Sequence, residues 1–167
     1  MRSGNSCHGN YMGFYTDSTF MPETSIGYLV RRSHQLSVQA LEPIFAAAGM
    51  TATQWSALAS IRVQRLSTCA AVARDIAYDK GATTRLLDSL EERGWINRRR
   101  DHGDRRVVHV MLTPAGETAA MAVRDAVVAQ WNEWLTDWND KDIMDLIRLL
   151  QRLRGTLTQA TDEGAAA

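Results

Sequence analysis

Apolar residues in the first third of the chain recur at the spacing of a helix face. Between residues 25 and 48 they repeat every three or four positions, which predicts an amphipathic helix. Pro43 inside this stretch should bend the helix, and Gly49 should end it. Thr51 and Gln54 have the spacing of a capping box, so a second helix is predicted from there to about residue 64.

The central part of the chain combines two shorter helical patterns with two extended ones. Residues 67–77 predict a short helix, and Asp79 is a suitable N-cap for a helix that ends at Arg93 and Gly94. Strand-like runs follow at residues 95–100 and 106–112, separated by turn-forming residues. The predicted order is therefore helix, helix and β-hairpin, and this hairpin is called the wing below.

The C-terminal third predicts two further helices. Thr113 suits an N-cap and Pro114 suits a first helical turn, and the helical pattern then continues to Trp131, Trp134 and Trp138. After residues 139–142, a final helix carries apolar residues at alternating spacings of three and four. These are Ile143, Leu146, Leu150, Leu153 and Leu157. Such a seam resembles that of a coiled coil and favours a second copy of the chain as its partner.

These elements predict a mainly α protein with a small β wing, built as a winged helix-turn-helix domain plus a helical dimerisation region. We expect the winged helix-turn-helix at residues 51–113 and the dimerisation region at residues 25–50 and 114–160. Residues 1–24 are predicted to be a partly ordered tail, with order beginning at about Tyr11. They are rich in polar residues and glycine but also carry aromatic residues from Tyr11 onward.

The charge of the chain is balanced in total but unevenly distributed. There are 19 basic and 19 acidic residues, which gives a formal net charge of zero. Five arginines nevertheless lie close together at the wing: Arg98, Arg99, Arg100, Arg105 and Arg106. Because local charge attracts phosphate, the zero total does not exclude a nucleic-acid partner.

Composition limits the compartment and the class of protein. A hydrophobic content of 45% with 23% charged residues is typical of soluble globular proteins. No apolar run is long enough to span a membrane or to form a signal peptide, so we expect a cytoplasmic protein without a membrane partner. Cys7 and Cys69 are expected to be thiols in that compartment. The scattered histidines predict no metal site, and we expect no cofactor.

Two motifs carry a resemblance to a known family. The sequence TRLLDSLEERG at residues 84–94, and DRR at residues 104–106 leading to LTPAG at 112–116, resemble the MarR family of winged helix-turn-helix regulators. The resemblance extends more loosely over residues 25–157. It implies a homodimeric regulator of transcription, most simply a repressor, which leaves a pseudo-palindromic operator when a small aromatic acid binds. It also implies that Arg106 enters the minor groove and that Asp104 holds the wing in shape.

The helix after Asp79 is the predicted recognition helix. Its spacing should turn Thr83, Leu86, Leu87 and Leu90 to the core and leave the other face outward. On that outer face, lysine and arginine suit guanine or phosphate, and a threonine hydroxyl suits phosphate. An ordinary solvated helix face is the alternative. The candidate DNA contacts are Ser67, Thr68, Lys80, Gly81, Ala82, Thr84, Arg85, Arg100, Asp104, Arg105 and Arg106.

Polar residues on the first two helices could line an effector cleft. Arg62 would neutralise a carboxylate, Trp55 would stack on an aromatic ring, and Ser33 or His34 would bind a phenolic hydroxyl. The alternative is that Arg62 pairs with an internal carboxylate and that Trp55 belongs to the core.

Other classes of function have weaker support in the sequence. A glycine-rich phosphate loop, a nucleophile elbow and a metalloprotease motif are all missing, so we expect no enzyme. Cys69 at a helix start could serve a redox-sensing regulator, although a small buried cysteine fits the pattern better. A winged-helix interaction module without specific DNA binding is a further alternative, against which the arginines of the wing argue.

Overall fold

The computed structural model describes residues 14–16, 19–64, 67–101, 103–104 and 107–165. A short 3-10 helix at Pro22–Thr24 precedes the longer elements. These are α1 (Ile26–Ala47), α2 (Ala52–Gln64), β1 (Ser67–Thr68), α3 (Cys69–Asp75), α4 (Lys80–Glu92), β2 (Ile96–Arg100), β3 (Val108–Leu112), α5 (Pro114–Trp134) and α6 (Asp140–Ala165). The predicted class, mainly helical with a small antiparallel sheet, is confirmed. Among the described helices, none has the length and apolar character needed to cross a membrane.

The chain divides into two compact units, one ending at Pro43 and the other beginning at Ile44. In the first unit, Tyr15 holds the start of α1. Its hydroxyl oxygen accepts a hydrogen bond from the backbone N of Ile26 at 2.9 Å and donates to the carbonyl of Thr24 at 3.1 Å. Part of the predicted tail therefore satisfies a free N–H at a helix start. Tyr11, where we expected order to begin, lies outside the described residues.

The core of the second unit joins its helices to the sheet. Residues that are at most 2% exposed come from the end of α1, from α2, α3, α4 and α5, and from all three strands. They include Leu58, Ile61, Val72, Leu87, Leu90, Ile96, Val110 and Val123. These buried side chains form the hydrophobic core of the second unit, and α4 and the wing both contribute to it.

Local capping chemistry sets several helix starts, as the sequence predicts. Asp79 accepts a hydrogen bond from the backbone N of Ala82 at 2.8 Å, and Thr113 caps α5 in the same way. Before α2, Thr51 N donates to Gln54 Oε1 at 2.9 Å, and Gln54 N donates to Thr51 Oγ1 at 3.1 Å. The predicted capping box is therefore confirmed.

The third helix is shorter than residues 67–77 predict. Ser67 and Thr68 form β1 instead and pair with Val110 and His109 of β3. Thr68 has an extended backbone, and its side chain accepts from the backbone N of Ala71, so the helix cannot begin before Cys69. The expectation of a helix starting at residue 67 was wrong, because pairing with a distant strand decides these two residues.

The boundary between the last two helices also differs from the expectation. α5 ends at Trp134 rather than at Trp138, and α6 begins at Asp140. Asn139 Oδ1 accepts a hydrogen bond from the backbone N of Asp142 at 2.9 Å. Asparagine is a strong N-cap residue, which explains why α6 starts before its first apolar residue.

The start of α5 lies directly against the start of β2. Thr113 N donates to the carbonyl of Trp95 at 3.0 Å, and Thr113 Oγ1 donates to the carbonyl of Gly94 at 2.7 Å. A Cβ atom at Gly116 would lie 1.9 Å from that same Trp95 carbonyl oxygen. Only glycine fits this close approach between α5 and the wing.

Candidate nucleic-acid interface

α3 and α4 form the two helices of a helix-turn-helix, and α4 has two distinct faces. Thr83, Leu87 and Leu90 are buried, as their spacing predicts, whereas Leu86 is only half-buried. Lys80 and Arg85 are exposed on the opposite side. The predicted outer face of α4 is therefore a surface that carries positive charge and is open to a partner.

The first turn of α4 is stabilised from outside the helix. The backbone N–H of Ala82 donates to the Asp79 carboxylate and holds the pKa of that carboxyl below its ordinary value. Gly81 is exposed, and a Cβ atom there would lie 3.2 Å from Asp79 Oδ1. Thr84 is exposed too, and its hydroxyl donates to the carbonyl of Lys80 at 2.8 Å. This end of the helix is thus ordered without covering its outward side chains.

The wing is an antiparallel hairpin that belongs to a three-stranded sheet with the order β1-β3-β2. Arg100 is exposed and lies opposite Val108 at the end of the hairpin nearest the turn. Arg105 and Arg106, which the resemblance assigns to phosphate and the minor groove, lie outside the described residues. Their proposed contacts stay predictions.

Asp101 shapes the start of the turn in the wing. Its Oδ1 accepts from the backbone N of Gly103 at 2.7 Å and of Asp104 at 3.0 Å, and its Oδ2 lies 3.0 Å from His109 Nε2. The Asp104 N–H, then the histidine and the Gly103 N–H, lower the pKa of Asp101 to about 2. Sequence reasoning assigned the shaping of the wing to Asp104 and missed Asp101. An aspartate two residues before a glycine was the available signal.

The arginines of the wing do not have equivalent surroundings. The Arg98 side chain forms ion pairs with Asp88 and Glu91 on α4. Arg99 and Arg100 are exposed. The predicted cluster of basic charge therefore contains an arginine that is already bound within the protein.

Two predicted DNA contacts at β1 have structural partners. Ser67 is 1% exposed, and its hydroxyl donates to Gln64 Oε1 at 2.8 Å. Thr68 is half-buried and caps α3 through Ala71. The hydroxyls of these two candidate contacts therefore form hydrogen bonds within the domain.

The four predicted effector residues fall in two different units. Ser33 and His34 are exposed on α1 in the first unit. In the second unit, Trp55 packs on Phe45 with ring centroids 5.8 Å apart, and its indole Nε1 is buried without an acceptor among the described residues. Arg62 Nε donates to Glu117 Oε1 at 2.7 Å.

Cys69 lines a cavity of about 570 Å³ between α3, α4 and the end of β3 nearest the turn of the wing. Lys80 and Val108 lie on other walls of this cavity. Burial raises the pKa of the Cys69 thiol, although the nearby Arg98 charge acts in the opposite direction. The environment therefore disfavours the thiolate, which is the reactive form of cysteine.

Comparison with known proteins places this arrangement in a family. The sequence profile of the MarR family matches residues 50–108. The multiple antibiotic resistance protein MarR of Salmonella typhimurium is 35% identical over 101 residues, which are 60% of this chain and 70% of that protein. The chain belongs to the MarR family. Transcriptional repressor MprA of Escherichia coli is 38% identical over 77 residues, or 42% of each chain.

Solved MarR structures share this fold. MarR from E. coli without ligand has a TM-score of 0.68 at 27% identity, covering 77% of this chain and 96% of that one. A variant of E. coli MarR in complex with operator DNA has a TM-score of 0.66 at 28% identity, covering 76% and 91%. NadR, in complex with 4-hydroxyphenylacetate, shows the same fold at 21% identity with a TM-score of 0.72, covering 77% and 92%.

The MarR profile coincides with the helix-turn-helix and most of the wing. Its residues 50–108 run from the start of α2 to the first residue of β3. The chain is therefore a MarR-family transcriptional regulator with a winged helix-turn-helix.

Proposed function

We propose that this protein is a cytoplasmic, homodimeric DNA-binding repressor that leaves its operator when a small aromatic acid binds. The observation that carries the proposal is the outer face of α4, where Lys80, Thr84 and Arg85 are exposed. The basic strand β2 follows α4 directly and leads into the turn of the wing. Repressors named MarR and MprA are among the similar proteins, and MarR of E. coli has been solved with operator DNA.

In the proposed complex, α4 enters the major groove of double-stranded DNA. Lys80 and Arg85 then contact guanine edges or phosphates, and Thr84 contacts phosphate. Arg100 approaches the backbone from the wing, and Arg105 and Arg106 extend this contact to phosphate and the minor groove. Gly81 and Ala82 permit close approach of the helix start because they have little or no side chain.

A second copy of the chain would supply the other half of the site. The apolar residues of α6 at the surface, such as Leu146, Leu150 and Leu157, favour association with an identical helix. A two-fold dimer presents two copies of α4, so the operator would be a pseudo-palindrome. Its half-sites would lie about one helical turn, roughly 34–36 Å, apart.

Trp55 and Arg62 support an aromatic acid as the effector. A buried N–H without an acceptor costs about 1–3 kcal/mol, and a ligand oxygen near Trp55 Nε1 would remove that cost. Arg62 is held by Glu117, so a ligand carboxylate would replace this side chain as the partner of the guanidinium. Ser33 and His34 remain predicted contacts for a hydroxyl group of the effector. NadR, which shares the fold, has been solved with a phenolic acid.

The DNA-binding half is tested by fluorescence anisotropy on a duplex from the region upstream of the protein's own gene. We expect binding that is tighter than to a scrambled duplex of equal length and that weakens steeply as salt increases. Arg85→Gln should lower the affinity, because it removes a cation from the outer face of α4. Arg124→Gln is the matched control, since Arg124 is exposed on α5 and pairs with its neighbour Asp125.

Equal binding of the parent to both duplexes would reject specific DNA recognition and favour a protein-interaction module. Equal affinity of the Arg85→Gln variant and the parent would remove α4 from the proposed interface.

The effector half is tested with hydroxylated benzoates and cinnamates added to the protein–DNA complex. We expect one acid to release the DNA, and Arg62→Gln to require a higher concentration of that acid. Glu117→Gln should require a lower concentration, because the substitution leaves Arg62 without its competing carboxylate. If no acid releases the DNA, the regulator stands without this effector class. If both variants respond as the parent does, Arg62 is not part of the site.

A further inference from the structure

The arginines of β2 differ in how far they are withdrawn from solvent. The Arg98 side chain is only 25% exposed, whereas Arg99 and Arg100 are exposed to solvent. Arg98 lies opposite Val110 of β3, which is fully buried. Paired residues of neighbouring strands project to the same face of a sheet, so Arg98 projects to the face that packs on the core. A cation on this face has to find partners inside the domain.

Two carboxylates of the recognition helix are those partners. Arg98 Nε and Nη2 donate to Glu91 Oε2 at 2.8 Å and 2.6 Å, and Nη2 also donates to Asp88 Oδ1 at 2.6 Å. The backbone N of Arg98 donates to Glu91 Oε1 at 3.1 Å. Glu91 is therefore held at both of its oxygens, one by the guanidinium and one by the backbone of β2. Strand and helix are tied together by main chain and side chain at the same point.

The pairing also keeps these groups charged. The hydrogen bond from Arg98 is the main reason that the pKa of Glu91 lies below its ordinary value. The hydrogen bond to Glu91 likewise raises the pKa of Arg98. A charged pair of planar groups with fixed directions resists sliding of the strand along the helix. This geometry commits the Arg98 guanidinium to two side chains of α4.

We propose that Arg98 is a positioning residue for DNA binding, which sets the distance between the wing and α4 by tying β2 to Glu91 and Asp88. The inference rests on the proposed function, in which the wing and α4 contact the same duplex. Simultaneous contacts of α4 and the wing with one duplex are strongest when the distance between the two is already fixed in the free protein. A mobile wing would lose conformational entropy on binding, which would weaken the affinity. Arg98 acts through this spacing and does not touch phosphate.

The test compares Arg98→Lys with Arg124→Lys in the full-length protein; Arg124 is exposed on α5, outside the proposed DNA interface. Lysine keeps the charge but lacks the fixed fork of donors, so Arg98→Lys should lose the spacing. We expect it to bind the upstream duplex at least about tenfold more weakly. In hydroxyl-radical footprinting it should lose protection beneath the wing and keep protection beneath α4. Arg124→Lys should bind as the parent does, because it makes the same exchange of arginine for lysine at an exposed position that has no proposed contact with DNA.

Arg98→Met removes the charge as well as the fork of donors, so its comparison with Arg98→Lys separates the effect of charge from that of geometry. Urea unfolding of every variant gives its folded fraction, by which the measured affinities are corrected. We expect Arg98→Met to be no more than slightly weaker than Arg98→Lys. Parent-like binding and footprint of Arg98→Lys would overturn this inference and leave the proposed function intact, as would an even loss of protection under helix and wing. A parent that does not prefer the upstream duplex would instead reject the proposed function, and this inference with it.

Discussion

Helices α4 and α6 carry comparable apolar stripes, yet the two stripes have different surroundings. On α4, Leu87 and Leu90 are fully buried within the second unit. On α6, Leu146, Leu150 and Leu157 are 42%, 44% and 56% exposed. The stripe on α4 is covered by the rest of its own domain, whereas much of the stripe on α6 remains in contact with water.

The difference teaches that helical periodicity identifies which face of a helix is apolar, but it does not identify whether the same domain or a partner covers that face. Elements close in sequence, α3 and strand β2 of the wing, pack against α4. The proposed second copy of the chain would cover α6. Substitutions on the two stripes should therefore affect two separate quantities, the stability of the folded domain and the affinity between subunits.

The largest effect is expected from Leu87→Ala. This substitution leaves a cavity in the core beneath α4, and large-to-small changes of this kind cost about 2–5 kcal/mol in the free energy of unfolding. Urea denaturation followed by circular dichroism measures the loss. A change below about 0.5 kcal/mol, which is ordinary for surface positions, would show that α4 is not anchored by this side chain.

A smaller effect, of a different kind, is expected from Leu150→Ala. We expect the dimer dissociation constant to rise about tenfold, because burying a leucine at an interface contributes about 1.5–3 kcal/mol when burial is complete. Sedimentation equilibrium measures this constant. Met144→Ala is the matched control, since Met144 is 63% exposed on α6 and lies outside the apolar seam. Equal dissociation constants for the Leu150 and Met144 variants would contradict the proposed α6 interface.

The smallest effect concerns the aspartates that stabilise the two helices. Backbone N–H groups, first that of Ala82, lower the pKa of Asp79, whereas the side chains of Lys141 and Arg148 lower that of Asp145. Both folded-state values lie below those of the unfolded chain. Their contributions to stability are therefore present above about pH 4 and are lost as the pH falls through the folded-state values.

Salt distinguishes the two causes. Raising the salt from about 0.05 M to about 0.5 M should raise the pKa of Asp145 more than that of Asp79, because mobile ions screen exposed charged side chains. Carboxyl carbon NMR titration measures both values. Equal shifts would mean that the neighbouring charges, and not the backbone, govern both groups.

Helix starts were predictable wherever the determining residues are neighbours in sequence. Asp79, Thr113 and the pair of Thr51 and Gln54 act over three residues, and the structure has all of these caps. β1 was not predictable in this way. Ser67 and its neighbour are decided by β3, which is distant in the chain, and short strands have weak intrinsic preferences.

The same limit applies to the candidate site. The outward face of α4 follows from spacing alone, so its exposed side chains could be anticipated. A run of arginines shows that charge is concentrated but does not show which arginine is paired inside the domain. The partners Glu91 of Arg98 and Glu117 of Arg62 are brought close only by folding. Strand alternation was the one signal that could have separated Arg98 from Arg99 beforehand.

Gly116 has a mechanical consequence. Gly116 of α5 packs against the Trp95 carbonyl. Thr113, just before α5, donates hydrogen bonds to the carbonyls of both Trp95 and Gly94, so the junction between α4 and α5 is tightly packed. Because these contacts join α5 to the segment that follows α4, we expect a rotation of α5 to move that segment with it. The long helix α5 would therefore act as a lever on the shorter helix α4, with the close contact at Gly116 as the rigid point between them.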